Sequence, residues 1–501
     1  MVKRVLIVGG GTAGFLAAIS IKTKAPTLEV TVIRSTLIGV IGVGEGTTSP
    51  VPDYLHYDLK IPPGEFFRNA RPTFKLGIKF LWGPRPWFNF PFRAQFSGRY
   101  TGLAHDNGFY CADDMEYASM DNAMMTHNRV FERQANGLPL VRNNHGYHLE
   151  NARFVKFMES YAAGLGVVIH DEIVATVEQN EAGVSGILCK SGRRYEGDLY
   201  VDCTGFVSLL LGKTLGQSFR SFSKSLFCDR AVTGGWHTTP DEVIEPYTTA
   251  ETMNAGWCWR IDHEDIVNRG YVYSSAFISD EEAEREFRAK NPRVTETRIV
   301  KFISGNYHRG WHKNVVAVGN AAGFVEPLEA TSIAVICRQA RSIAITLADS
   351  DDPLRPGIAL AYNRWHTARW NLIRNFLSIH YRFNTRLDTP FWRACRSDVE
   401  LNDAAEFVEF FRDCGPNAYW TRSFVDGVQI YETEGYLCLM LGMKVPHRVR
   451  YTPTAADLRT WETIRERART AALNGTTVRE SLAVIRRPDC QWPEGFFNPM
   501  S

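Results

Sequence analysis

The order of apolar and polar residues predicts a strand, a helix and a second strand at the start of the chain. Residues 2–8 (VKRVLIV) form a short apolar run that stops at three glycines. TAGFLAAISIKTK then has a helical pattern, and LEVTVIRS has the pattern of a strand. The unit places a glycine-rich turn between a strand and a helix.

Further along the chain, strand-like runs return at 165–205, and NVVAVGNAAG leads into a helix predicted near Thr331. Alternation in PTFKLGIKFLW (72–82) predicts one strand with Lys75, Gly77 and Lys79 on one face. GWCWRI (256–261) predicts a strand with both tryptophans on one side. Residues beyond 350 show helical spacing, for example at Trp370 and Phe376. We therefore predict an α/β (α+β) fold with a strand-rich part at 1–350 and a mostly helical part at 351–501.

Composition narrows the classes of function. The 501 residues are 44% hydrophobic and 22% charged with a net charge of +2, so neither nucleic acid nor an anionic membrane is an expected partner. The ten cysteines are scattered, which indicates reduced thiols in a cytoplasmic protein and no metal site. No run reaches the roughly 18 apolar residues of a membrane helix. A small-molecule partner is the better expectation.

The glycine-rich turn carries a dinucleotide-binding fingerprint. Gly9, Gly11 and Gly14 have the G-x-G-x-x-G spacing, which lets a diphosphate approach a helix N-terminus. An acid is expected about 20 residues later, but Arg34 and Ser35 stand there, and an arginine could accept the 2′-phosphate of NADP. Two later strand ends, residues 202–205 and 318–322, favour FAD as the dinucleotide.

A second motif, GFVEPLEATSI, predicts an anion site. Pro327 precedes a helix start, so Thr331 and Ser332 fall at its first turn, where free N–H groups attract a small anion such as a halide. Glu326 and Glu329 lie just before the helix, and carboxylates are common at helix starts for electrostatic reasons alone. Similarly, a lysine-bearing strand face is commonly just a solvated face.

Taken together and in this order, these motifs resemble the flavin-dependent tryptophan halogenases. The matching stretches span about four fifths of the chain: GGGTAG (9–14), GVGEGTTSP (42–50), FKLGIKF (74–80), GWCWRI (256–261), WHKNVVAVGNAAGFVEPLEATSI (311–333) and FLSIHYRFNTRLDTPFW (376–392). The resemblance implies a FAD-binding domain of the flavin hydroxylase type over 1–350, with inserted substrate-facing segments, and a helical substrate portion over 351–501.

The resemblance also implies an activity and its residues. Lys79 and Glu329 are expected to be catalytic, and Thr331 and Ser332 to bind the halide. The expected cofactor-binding residues are Gly9, Gly11, Ala13, Gly14, Ser35, Ile38, Ile41, Val43, Gly46, Val174 and Ile333. A separate flavin reductase would supply FADH2, and O2 with chloride or bromide would give hypohalous acid. Lys79 would relay the halogen to an electron-rich aromatic such as indole or tryptophan.

The chain departs from the family pattern in four places. Arg34 replaces the strand-2 acid, Asp262 follows the double-tryptophan motif in place of proline, and the E-S-T-G run reads Glu329-Ala330-Thr331-Ser332. Beyond about residue 400 no motif for gripping free tryptophan is evident. The substrate therefore stays open among indoles, phenols and larger aromatics, as do the halide preference, the regiochemistry and the oligomeric state, including a homodimer. A flavin monooxygenase and a non-catalytic FAD-binding protein are the alternatives.

Overall fold

The predicted strand–helix–strand unit lies at the centre of the main parallel sheet. The structure is a computed structural model and describes residues 2–39, 44–96, 102–425, 431–492 and 496. The six strands, numbered in chain order, lie in the spatial order β20 (Trp311–His312), β21 (Val315–Ala317), β12 (Leu199–Asp202), β1 (Arg4–Val8), β2 (Glu29–Arg34) and β8 (Val168–Asp171). The register sets Val8 opposite both Asp202 and Ile33, so the carboxyl ends of β12, β1 and β2 share one edge.

A second, seven-stranded sheet packs beside three small ones. Its order is β18 (Arg298–Lys301), β14 (Arg230–His237), β17 (Ile266–Tyr273), β16 (Gly256–Asp262), β15 (Thr248–Met253), β5 (Gly77–Leu81) and β6 (Phe88–Pro91). The small sheets are β11 (Arg194–Tyr195), β10 (Gly183–Cys189) and β9 (Val174–Asn180); β13 (Phe219–Ser221), β19 (Gly305–Tyr307) and β22 (Gly323–Phe324); and β3 (Glu45–Gly46), β7 (Gly146–Leu149) and β4 (Thr73–Lys75).

Helices cover the parallel sheet and form the C-terminal part. Those before residue 350 are α1 (Thr12–Lys24), α2 (Pro50–Asp53), α3 (Pro63–Asn69), α4 (Met120–Thr126), α5 (Asn151–Gly164), α6 (Asp280–Lys290) and α7 (Ser332–Asp349). Those after it are α8 (Pro356–Phe383), α9 (Pro390–Asp398), α10 (Ala404–Cys414), α11 (Ala418–Val425), α12 (Glu432–Gly442), α13 (Ala455–Leu473) and α14 (Val478–Ile485). The predicted helical character beyond 350 is confirmed, and Trp370 and Phe376 are buried.

The prediction of a single strand over 72–82 is wrong. The segment forms β4 and β5, which belong to different sheets. Leu76 separates them, because its N–H donates to Pro246 O and its carbonyl accepts from Phe92 N–H. A change of sheet partner leaves the alternation of side chains intact, so the pattern could not reveal it.

The apolar core runs across residue 350. One cluster joins Ile78 and Trp257 with Phe376 and Trp461, so helices of the C-terminal part complete a core begun by the second sheet. The division into domains at 350 stays a prediction. Among the described residues, we find no helix that is both long and apolar enough to cross a bilayer.

Candidate active site

The glycine turn between β1 and α1 is shaped by close backbone contacts. Gly9 has φ +117°, and a Cβ there would lie 2.2 Å from Cys203 O. A Cβ on Gly14 would lie 1.9 Å from Gly9 O, so only glycine allows the helix to start this close to the strand. Gly11 has open space, since no atom of the described part of the chain lies within 4 Å of a Cβ built there. The turn therefore leaves room for a ligand beside the N-terminus of α1.

Two later segments close around the same edge, as the sequence predicted. Asp202 ends β12, and its carboxylate accepts hydrogen bonds from Leu210 N–H (2.8 Å) and Leu211 N–H (2.9 Å), which fixes the turn after the strand. Gly319 follows β21 with φ +65°, and a Cβ there would lie 3.1 Å from Ala13 Cβ. Three strand ends thus surround the first turn of α1.

This edge fits the diphosphate of a dinucleotide. Gly11 is the N-cap residue of α1. Within the described residues, no side chain caps the helix at this end and its first turn carries no acid, so the N–H groups of that turn remain free. Free N–H groups and the positive end of the helix dipole suit phosphate oxygens. These residues would hold FAD through its diphosphate.

The other expected cofactor residues divide into three groups. Ser35 and Ile38 lie in the loop after β2, where Ile38 is 67% exposed, and Val174 begins β9 nearby. Gly46 and Ile333 are buried near the start of α7. Ile41 and Val43 lie outside the described residues.

The start of α7 offers a small anion site. Ala330 adopts a left-handed conformation with φ +53° and turns the chain so that Thr331 becomes the N-cap and Ser332 the first helical residue. Both residues line a cavity of about 10 Å³, together with Gly319, Gly323 and others, and this holds roughly one water-sized particle. The site suits a halide, because no side chain of the described residues caps the helix, which leaves N–H groups of its first turn free to donate.

Lys75 lies at the centre of this region. Its side chain is fully buried, and its Nζ has no hydrogen-bond partner among the described residues. A Cβ on Gly46 would lie 3.1 Å from Lys75 Nζ and 3.2 Å from Ala330 Cβ, so Gly46 separates the amine from the turn before α7. Burial lowers the pKa of Lys75 to about 7, although the nearby charge of Glu329 raises it in part. Neutral amine and ammonium are therefore both populated near neutral pH.

Glu329 forms a buried hydrogen-bonded pair with His380. Glu329 Oε1 lies 2.6 Å from His380 Nε2, and both side chains are buried. His380 Nδ1 lies 3.1 Å from the carbonyl of Phe376, which can only accept, so Nδ1 carries a hydrogen. A single hydrogen, on Nε2 or on Oε1, then completes the bond between the two side chains.

The structure does not bring Lys79 to Glu329. Lys79 is partly exposed, and its Nζ lies 4.3 Å from the ring of Trp87 and 5.3 Å from that of Tyr247. The carboxylates that act on it are Glu245 and Glu116, and burial lowers its pKa. The change of sheet at Leu76 is the physical reason, because it buries Lys75 beside Gly46 and leaves Lys79 on the second sheet.

Glu326, the first acid of the same motif, is fixed by two side-chain hydrogen bonds. Its Oε1 accepts a 3.0 Å hydrogen bond from Trp257 Nε1, and Tyr381 O–H donates to the same oxygen. Burial raises the pKa of Glu326 to about 7. The double-tryptophan motif is thereby tied to the segment that carries Glu329.

Sequence reasoning missed two of these residues. Lys75 was recognised only as one of two lysines on a strand face, and alternation does not distinguish it from Lys79. His380 lies within a long helix, 51 residues from Glu329. Its position within the stretch 376–392 is the one sequence feature that pointed to it.

Comparison with known proteins agrees with this architecture. The tryptophan halogenase family model matches residues 4–458. Tryptophan 6-halogenase ThaL of Streptomyces albogriseolus is 30% identical over 441 residues, which cover 82% of each chain. MibH, a lanthipeptide tryptophan 5-halogenase, shares 39% sequence identity with this chain. Its crystal structure superimposes with a TM-score of 0.89 over 97% of this chain and 94% of MibH. BrvH, a flavin-dependent halogenase from Brevundimonas sp. BAL3, is 26% identical with a TM-score of 0.84, over 96% of this chain and 99% of BrvH. The chain belongs to the tryptophan halogenase family.

Proposed function

We propose that the protein is a FADH2-dependent halogenase that places chlorine or bromine on the indole ring of tryptophan or of a related aromatic. The observation that carries the proposal is the buried group of Lys75, Glu329 and His380 beside a halide-sized cavity at the start of α7. Family membership supports the reaction class, and the names of ThaL and MibH support tryptophan as the ring. A separate flavin reductase would supply the reduced cofactor.

When bound, reduced FAD would supply, together with O2, the oxidising power for converting halide to hypohalous acid. Thr331, Ser332 and the free N–H groups of α7 would hold the halide for this step. The cofactor itself would rest on Gly9, Gly11, Ala13 and Gly14, with the expected contacts from Ser35, Ile38, Val174, Gly46 and Ile333, and from Ile41 and Val43 outside the described residues.

We assign to Lys75 the role that the resemblance led us to expect of Lys79. Lys75 would receive hypohalous acid and present electrophilic halogen to the ring, either as an N-haloamine or by donating a hydrogen bond to the acid. A pKa of about 7 makes both forms available. The halogen–oxygen bond breaks, a carbon–halogen bond forms, and hypohalous acid and ring C–H become ring C–halogen and water.

Glu329 would accept the proton that leaves the ring. The hydrogen bond to His380 holds the carboxyl group of Glu329 in place for that role. Burial excludes bulk water from the pair, so hypohalous acid meets an amine rather than solvent.

The test is the reaction of purified protein with FAD, a flavin reductase, NADH, O2 and bromide. The substrates are free tryptophan, indole and a tryptophan-containing peptide, the last because MibH is described as acting on a lanthipeptide. Mass spectrometry should show the bromine isotope pair on at least one product. A product that carries only added oxygen would indicate the flavin monooxygenase alternative and overturn the proposal.

A further inference from the structure

The strand position that usually carries an acid for the cofactor's ribose is occupied here by Arg34. The side chain of Arg34 is hydrogen-bonded to two carboxylates. Arg34 Nε and Nη2 donate to Glu159 Oε1 at 3.0 and 2.7 Å, and Nη1 donates to Asp171 Oδ2 at 3.1 Å. Two carboxylates surround one guanidinium, so the group carries a net charge of about −1 at neutral pH. A dianionic 2′-phosphate would be repelled rather than bound.

Asp171 lies where the missing acid is needed. It ends β8, the parallel neighbour of β2, and the register places it directly opposite Arg34. Both strand ends belong to the edge that carries the glycine turn, and a Cβ on Gly10 would lie 2.2 Å from Arg34 Cβ. The carboxylate of Asp171 is therefore one strand away from the usual position.

The carboxylate is also fixed in orientation. Its Oδ1 accepts from Thr36 N–H at 3.0 Å, and its Oδ2 accepts from Thr36 Oγ1 at 2.8 Å as well as from Arg34. Its side chain is still 48% exposed, and Oδ1 has so far accepted a single hydrogen bond, so this oxygen can accept a further one from a ligand. Three protein donors on one exposed carboxylate indicate a preorganised acceptor.

We propose that Asp171 accepts a hydrogen bond from a ribose hydroxyl of the adenosine half of FAD, and that the Arg34, Glu159 and Asp171 group excludes 2′-phosphorylated nucleotides. This rests on the proposed function, because FAD is the cofactor of that function. It replaces the NADP alternative that Arg34 left open from sequence alone.

The experiment measures how ADP, its 2′-deoxy and 3′-deoxy analogues and 2′-phosphorylated ADP displace FAD, followed by flavin fluorescence. Wild-type protein should bind ADP about tenfold more tightly than at least one deoxy analogue, as expected for a hydrogen bond to a charged group. Asp171→Asn should weaken ADP to the level of that analogue, so the difference disappears. Glu159→Gln combined with Asp171→Asn should improve binding of 2′-phosphorylated ADP.

Asp198→Asn is the matched control. Asp198 likewise accepts from two backbone N–H groups and Arg4, but it lies beside the first residues of β1, at the opposite edge of the sheet. Its substitution should leave all four affinities unchanged. If Asp171→Asn does not fold, as judged by circular dichroism, Thr36→Val should reduce the same discrimination by loosening Asp171.

The outcomes separate the two proposals. Unchanged discrimination in folded Asp171→Asn, or in Thr36→Val where that variant is needed, would overturn the role of Asp171 while leaving the halogenase proposal intact. Failure of wild-type protein to bind FAD would instead contradict the proposed function itself.

Discussion

The nucleotide-binding edge and the centre around Lys75 are assembled differently. The edge draws its proposed phosphate site from one continuous stretch, Gly9 to Gly14, with later strand ends packed against it. The centre brings together Gly46, Lys75, Glu329 and His380 from four distant segments. Damage to the edge should therefore affect the fold and cofactor affinity, whereas replacement of Lys75, Glu329 or His380 should affect the chemistry while the cofactor still binds.

Apart from the loss of the Lys75 amine, the largest expected effect is at Glu329. Glu329→Gln keeps the size of the side chain but removes the proton acceptor, so halogenation should fall about a hundredfold or more. FAD affinity, measured by fluorescence, should stay within about twofold of the wild type. Glu326→Gln in the same motif retains an acceptor for Trp257 and Tyr381 and should lose far less activity. Equal losses in the two variants would contradict the distinction between reacting and supporting acids.

Substitutions in the glycine turn should instead change stability and FAD affinity. Gly9→Ala forces a Cβ into Cys203 O and an unfavourable φ, so we expect a loss of about 2 kcal/mol in the free energy of unfolding and weak FAD binding. Gly11→Ala meets no atom of the described residues and should remain as stable as the wild type while binding FAD less tightly. Urea melts and FAD titrations check both, and a stable Gly9→Ala that binds FAD normally would break the comparison.

Stability at the centre should depend on pH through Lys75. Its pKa falls from 10.5 in the unfolded chain to about 7 in the folded protein, so between these values the unfolded chain binds more protons. Stability contributed at this site should therefore rise with pH between about 7 and 10.5. Lys75→Met should be more stable than the wild type at pH 7, on the order of 2 kcal/mol, and this advantage should shrink toward pH 10.5. Thermal melts across that range measure it, and a constant difference would contradict the lowered pKa.

The smallest effect is expected at His380. His380→Asn removes the hydrogen bond that holds the Glu329 carboxyl group in place, so activity should fall about tenfold while FAD affinity stays within about twofold of the wild type. A role confined to packing would lower FAD affinity and the free energy of unfolding together with the rate. Steady-state rates, FAD titrations and urea melts distinguish the two results.

Sequence could predict what is encoded locally. The bounds of β1, α1 and β2 follow from contiguous apolar runs and glycines, and the start of α7 follows from Pro327. The site around Lys75 could not be derived in this way, because Leu76 changes its sheet partner without any break in alternation. His380 reaches Glu329 only through the packing of α8, which no local pattern encodes.

We propose that Lys75, rather than Lys79, delivers the halogen to the ring. The most direct measurement compares brominated product formed by the wild type, Lys75→Ala and Lys79→Ala at matched FAD occupancy. We predict that Lys75→Ala loses about a thousandfold in rate, as expected for removal of a reacting group, and that Lys79→Ala stays within a few-fold of the wild type. Loss of product in Lys79→Ala with normal turnover by Lys75→Ala would contradict the account.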